Sequence, residues 1–302
     1  MNFFQEIQKI YNKLKNTKGG ENANYIPELS KQDPNLYSIS IFTVDGQKFN
    51  IGDFTHEFAI ESCSKIFTLA LALEKYGKKT LKSKIGESVS LDKFNSICAV
   101  DSISNHTINS FDNGGAIATT SLLYTPNKQK FTKTIVDNMS DFACKDLHVN
   151  NKIYKSESFH NDRNLAIAYL LKSYDKFYGD VKTCVDVYTK QCSVMVTTED
   201  IAIMAATLAN GGVNPITKKQ IVSKTNTEYI INHMHLNGLY NETPKIMKTN
   251  DYKIPVKSGV SGILLVVIPG VMGIGIASPP INKYGNSVKG IKTLKMMHKL
   301  LK

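Results

Sequence analysis

From Val260 to Ile281 the chain carries no charged side chain, and no other stretch limits its folding so tightly. A run of that length could cross a bilayer as a helix. Its interior points elsewhere. Pro269-Gly270 stands in the middle, Ile263 to Ile268 is rich in β-branched and aliphatic residues, and glycines alternate with apolar residues from Val271 to Ala277. β-rich flanks on either side of a Pro-Gly turn define a hairpin. A buried β-hairpin is therefore expected, with a spanning helix as the alternative.

A buried hairpin needs partners to cover it. Leu36 to Asp53 alternates apolar and polar residues and breaks at Asp45-Gly46, which predicts a second antiparallel pair. Helical spacing marks both chain ends, through Phe4, Ile7, Ile10, Tyr11 and Leu14 at the start and Ile291, Leu294, Met297 and Leu301 at the finish. Each stripe can cover a sheet. The first lacks the apolar core and cleavage site of a secretory signal. Glu61 to Asn210 reads as mainly helical. One helix runs from Arg163 to Leu171, and another carries Ile201, Met204, Ala205 and Leu208, capped by Thr197 with Asp200 and closed by Gly211-Gly212. The expected fold class is α/β (α+β), an antiparallel sheet flanked by terminal helices with an inserted helical lobe. One domain is expected over 1–302, its sheet lobe about 1–60 and 211–302 and its helical lobe about 61–210. The cleft between the lobes is the expected site.

Ser62 and Lys65 stand where the helical part begins, and Ile66, Leu69, Ala70 and Leu73 continue the helix up to a stop at Gly77. Three residues apart on a helix, the hydroxyl and amine share a face. An inward lysine loses basicity by desolvation and can act as a general base, while the helix N-terminus favours a developing oxyanion. Read alone, the pair is better explained as an N-cap serine followed by a lysine in solvent. The same spacing recurs at Ser90–Lys93 and Ser173–Lys176.

The formal charge of +11 raises nucleic acid or an anionic membrane as partners, but Arg163 is the only arginine and the lysines scatter from Lys9 to Lys302. A solvated lysine surface is the expectation, with neither nucleic-acid nor membrane binding. Cys63, Cys98, Cys144, Cys184 and Cys192 form no C-x-x-C pair and no metal-ligand spacing. Free thiols in a reducing, cytoplasmic compartment fit that pattern.

Several separated stretches complete the reading: Tyr25-Ile-Pro-Glu-Leu, Ser62-x-x-Lys65, Asn113-Gly-Gly-Ala-Ile, Ser156-Glu157, Arg163-Asn164, Tyr188 before Gln191-Cys-Ser193, Leu208-Ala-Asn-Gly-Gly212, Gly238-Leu-Tyr240, Lys257-Ser-Gly-Val260 and Gly285-Asn-Ser-Val288. In this order they resemble the serine-dependent, β-lactamase-like glutaminase family over roughly Gly20 to Gly290. The resemblance implies a fold like that of β-lactamases and penicillin-binding proteins, and hydrolysis of L-glutamine to L-glutamate and ammonia. Ser62 would be the nucleophile and Lys65 the base, with backbone N–H groups of Ser62 and Val260 facing the oxyanion. Tyr188 and Tyr240 would flank the reacting amide and relay a proton. Tyr25, Glu61, Asn113, Glu157 and Asn164 would complete the substrate pocket, Glu157 receiving the ammonium. Lys257-Ser258-Gly259 resembles the Lys-Thr-Gly strand that lines such a cleft opposite the nucleophile. The resemblance further implies no metal or organic cofactor and a homo-oligomer, dimer or tetramer. Arg163 is expected to brace its loop by pairing with an acidic neighbour.

This chain also departs from the family pattern. Glu61 stands where a glutamine is usual, no proline follows Asn109, Ser261-Gly262-Ile263 has one glycine fewer, and two extra residues separate Tyr240 from Lys257. A carboxylate at 61 would repel a substrate carboxylate by roughly 1 to 4 kcal/mol, depending on screening, so the alternatives are a related amide or ester hydrolase acting on another substrate and a catalytically weakened homologue that binds a ligand or partner.

Overall fold

A computed structural model describes residues 3–89, 92–249 and 254–301. Ser90, of one recurrent serine–lysine pair, and residues 250–253 of the stretch before Lys257 lie outside them. Helices α1 (Phe3–Leu14) and α2 (Pro27–Ser30) lead into strands β1 (Ser38–Thr43), β2 (Lys48–Gly52) and β3 (Phe58–Ala59). A 3-10 turn, Glu61–Cys63, opens α3 (Ser64–Ile85), followed by α4 (Cys98–Ser102), α5 (Asn113–Leu122), α6 (Lys128–Ala143), α7 (Asn151–Phe159), α8 (Asp162–Ser173) and α9 (Val181–Cys192). The chain continues through β4 (Met195–Val196), α10 (Thr198–Ala209), α11 (Lys224–Asn237), a second 3-10 turn at Tyr240–Glu242 and α12 (Thr243–Thr249). It closes with β5 (Val256–Ser258), β6 (Ile263–Ile268), β7 (Met272–Ala277) and α13 (Val288–Leu300).

The uncharged stretch is a hairpin. β6 and β7 pair antiparallel from Ile263 opposite Ala277 to Ile268 opposite Met272. Among the described residues no helix is long and apolar enough to cross a membrane. β1 and β2 form the second hairpin, and β1 also pairs with β7, so the two merge into one antiparallel sheet of order β2-β1-β7-β6-β5.

Side chains alternate across these strands. Leu264, Val266, Ile274 and Ile276 pack with Ile7 and Ile10 of α1 and Leu294 and Met297 of α13, the two terminal helices. Ile263, Leu265 and Val267 point the other way, into the core that includes Ile201, Met204 and Ala205 of α10. The glycines of β7 follow from that helix. A Cβ at Gly273 would stand 2.1 Å from the Ala206 nitrogen, and one at Gly275 would stand 2.1 Å from the Thr198 carbonyl oxygen. Only glycine lets a helix backbone approach so closely.

α10 starts with the expected capping box: Thr197 accepts from the Asp200 N–H while the Asp200 carboxylate accepts from the Thr197 N–H. The boundary near 210 falls between helices that pack across it, since α10 lies on the sheet and α11 packs on α3. Among the described residues only Lys65, Lys257 and Lys289 are buried lysines. Others make exposed pairs such as Lys48–Glu199 and Lys133–Asp137.

Candidate active site

The turn that carries Ser62 is fixed from both sides. Ile60 N–H donates to the Val194 carbonyl at 2.8 Å, beside the short β3–β4 pairing, and Ser261 Oγ donates to the Ala59 carbonyl at 2.6 Å. The chain then reverses sharply at Glu61, which holds a left-handed φ of 49°. For a side chain with a Cβ that conformation costs on the order of 1 to 3 kcal/mol, and such residues cluster at active sites. Gly259 lets the end of β5 lie against this turn, because a Cβ there would come within 2.8 Å of the Ile60 carbonyl oxygen.

One helical turn on, Lys65 is 1% exposed, and its Nζ donates to the Phe111 carbonyl at 3.0 Å and Asn113 Oδ1 at 2.8 Å. The inward orientation expected of both residues is present, Ser62 being only 8% exposed. Burial lowers the Lys65 amine to about 8, against the opposing effects of Cys192, Asp112 and Glu61. Asn113 presents its oxygen to Lys65 and Tyr188, so its Nδ2 donates to Asn164 Oδ1 at 3.0 Å. Asn164 donates in turn to Asn161, and Asn161 to Thr189. This relay fixes the orientation of three side-chain amides.

Tyr25, Glu61, Ser62, Asn113, Glu157, Asn164, Tyr188 and Val260 line one cavity of about 450 Å³, a size suited to a small ligand. Tyr25 stands at its rim, 51% exposed. Lys65 and Tyr240 lie behind the cavity wall. The Tyr240 hydroxyl donates to the Ser258 carbonyl at 3.1 Å and also bonds with the Ser62 side chain. Tyr240 shares with Glu61 a left-handed φ, here 55°. Lys257 donates to the same Ser258 carbonyl at 2.8 Å and sits 4.4 Å from the centre of the Tyr240 ring. Fully buried, it stays behind the wall rather than lining the cleft. Burial, and then the charge of Lys65, lower its amine to about 7.

Two acids share the cavity. Burial pushes the Glu157 carboxyl up to about 7, although Ser193 Oγ donates to it at 3.2 Å. Burial first, and then Glu157, push Glu61 well above the usual carboxylate range. Glu61 Oε1 is buried and makes no hydrogen bond. Burial likewise raises the phenols of Tyr188 and Tyr240, which keeps both as donors.

Arg163 departs from expectation. It lines the cavity, and its Nε donates to the Asn95 carbonyl at 2.9 Å rather than to an acid. Asn24, Asn95, His160, Asn161 and Cys192 also line the cavity and were not expected there from the sequence. Asn24 adjoins Tyr25, and Cys192 sits inside the Gln191-Cys-Ser193 stretch, which were the available signals. Among the described residues no group of three His, Cys, Asp or Glu side chains is placed to hold a metal ion.

A mixed α/β fold of the β-lactamase type, with a serine, a buried lysine and two acids around one small cavity, defines the class of this protein. The glutaminase family model matches residues 20–302. A glutaminase of Mycobacterium ulcerans is 42% identical over 94% of this chain and 88% of its own length. Glutaminase 1 of Shigella flexneri is 38% identical over 98% and 95%. Among solved structures, the probable glutaminase ybaS superposes with a TM-score of 0.95 at 38% identity, covering 99% of this chain and 96% of its own. Mglu in its glutamate form gives a TM-score of 0.91 at 32% identity, covering 97% of this chain and 67% of its own. The chain belongs to the glutaminase family.

Proposed function

We propose that the protein hydrolyses L-glutamine to L-glutamate and ammonia through an ester on Ser62. The observation that carries this reading is the placement of Ser62 on the wall of an acid-lined cavity, one helical turn from a buried, weakened amine. Ser62 Oγ attacks the side-chain amide carbon as Lys65 takes the hydroxyl proton. The C–N bond then breaks, and the departing nitrogen leaves as ammonia with a proton passed from Lys65 by way of Tyr188 or Tyr240. Water gives a proton to Lys65 as it adds to the γ-glutamyl ester, and the C–O bond then breaks as Ser62 Oγ takes that proton from Lys65, which frees glutamate and restores both residues. Backbone N–H groups of Ser62 and Val260 receive the oxyanion in both steps. Glu157 takes the substrate ammonium, and Asn113, Asn164 and Tyr25 hold the rest of the head group.

The family relationship supports the substrate, since the named relatives are glutaminases. The test is release of ammonia and glutamate from glutamine by the purified protein. Ser62→Ala and Lys65→Ala should each lower turnover by roughly 1,000-fold or more. Full activity in Ser62→Ala would sink the mechanism. A cytoplasmic homo-oligomer completes the proposal, and five free thiols support a reducing compartment.

A further inference from the structure

A groove of about 570 Å³ runs between the segment from Gly20 to Tyr25 and the segment from Ile281 to Lys283. Glu21 and Ile281 bridge its banks by exchanging backbone hydrogen bonds of 3.1 and 2.8 Å. Asn24 and Tyr25 line both the groove and the active-site cavity, so the two hollows meet at these residues. Ala23 and Ile281 also pack in one apolar cluster with Val260, which lines the cavity together with Ser62. Tyr25 is half exposed, but its phenol end is enclosed: burial first, and then Glu61 and Glu157, push it above the usual phenol range. The passage into the groove thus starts beside the two acids. Its walls carry unmet polar groups. The backbone N–H groups of Asn22 and Asn24 make no hydrogen bond among the described residues, and Lys283 is exposed on the opposite bank. At the cavity end, Glu61 Oε1 is buried without a donor.

We propose that the groove seats the second residue of a peptide whose first residue is glutamine, so that the enzyme deamidates short glutaminyl peptides as well as the free amino acid. This rests on the glutaminase reading. Such a peptide keeps its ammonium for Glu157 and its γ-amide for Ser62, and it lengthens only at the carboxyl carbon, past Tyr25. The peptide bond also suits Glu61. A free α-carboxylate is repelled by an ionised Glu61, whereas a peptide link is neutral and adds an N–H, the donor that Glu61 Oε1 lacks. The terminal carboxylate of a dipeptide is matched in charge by Lys283. The chemistry is that of glutamine: the γ C–N bond breaks, ammonia leaves, water supplies the hydroxyl of the new acid, and the peptide bond stays intact.

The test measures ammonia release from L-glutamine, L-glutaminyl-L-alanine and L-glutaminyl-L-alaninamide in wild type, Lys283→Glu and Glu21→Trp. Glutamyl-alanine is identified by mass, which sets aside spontaneous closure to the pyroglutamyl peptide. Both side chains are exposed, so the variants should fold, and a thermal melt checks this. Wild type should process the dipeptide with kcat/KM within about tenfold of that for glutamine. Lys283→Glu should lower kcat/KM for the dipeptide about fivefold through KM, and leave the alaninamide and glutamine unchanged. Glu21→Trp, which fills the groove, should cost both peptides roughly tenfold and glutamine nothing. Turnover of glutamine without turnover of the dipeptide overturns the proposal, as does dipeptide turnover that neither variant changes or a loss that glutamine shares equally. No ammonia from any of the three amides overturns the functional reading instead. Calorimetric binding of L-glutamyl-L-alanine then reads the groove: weaker binding in both variants supports it, and equal or absent binding counts against it.

Discussion

Buried titratable groups set the chemistry at the scale of single residues. Lys65 accepts a proton only as the free amine, and burial brings that form within reach near pH 8. In the proposed binding mode Glu157 must be ionised to hold an ammonium, and burial delays its ionisation to about pH 7. Under the proposed mechanism both requirements predict that kcat/KM rises with pH from 6 to 8, and a flat profile over that range would remove Lys65 from the role of base. Stability should move the other way. A carboxyl whose folded value is raised above its unfolded one binds more protons folded than unfolded, so the free protein loses stability as pH climbs from about 4.5 through 7. Glu157→Gln should flatten that part of a melting-temperature profile. Several of these residues were visible in the sequence because the family's ordered motifs carry them. The shared Ser258 carbonyl of Tyr240 and Lys257, and the lysine's withdrawal behind the wall, were not, since both depend on the close approach of β5 to the second 3-10 turn.

At the scale of elements, local chemistry was largely legible. Asp45-Gly46 marked one hairpin, Pro269-Gly270 the other, and Thr197 with Asp200 the start of α10. Gly77 interrupts α3 as expected, with a φ of 76° and an extended ψ of 158°. What periodicity could not reveal is which layer a helix joins. α10 is apolar on most sides, so nothing in its own residues told the sheet from the helical lobe; the answer lay in its partner, in the alternating glycines of β7. Gly273→Ala and Gly275→Ala should therefore each cost about 3 kcal/mol or more in denaturant unfolding, because the clash is with helix backbone that cannot swing aside. Tolerance of both alanines would mean that α10 rides higher on the sheet.

For the whole molecule, cross-packing ties the lobes together. α10 from one side of the sequence boundary and α11 from the other each bury themselves against the opposite part. Charge is divided just as unevenly. A formal +11 is carried largely by surface lysines, whereas two of the cavity's own side chains are acids. Glutamine arrives as a neutral zwitterion and is indifferent to such a shell beyond its last contacts. Glutamate departs as an anion and must leave through it, so at low ionic strength the surface should keep the product loitering near the exit. Added salt, which screens charges beyond about 10 Å at 0.1 M, should accordingly weaken inhibition by glutamate severalfold while barely moving KM for glutamine, a comparison that inhibition assays at low and moderate salt can make. The lysine coat then acts as a brake on outward traffic, and the ionic strength around the enzyme sets how hard it presses.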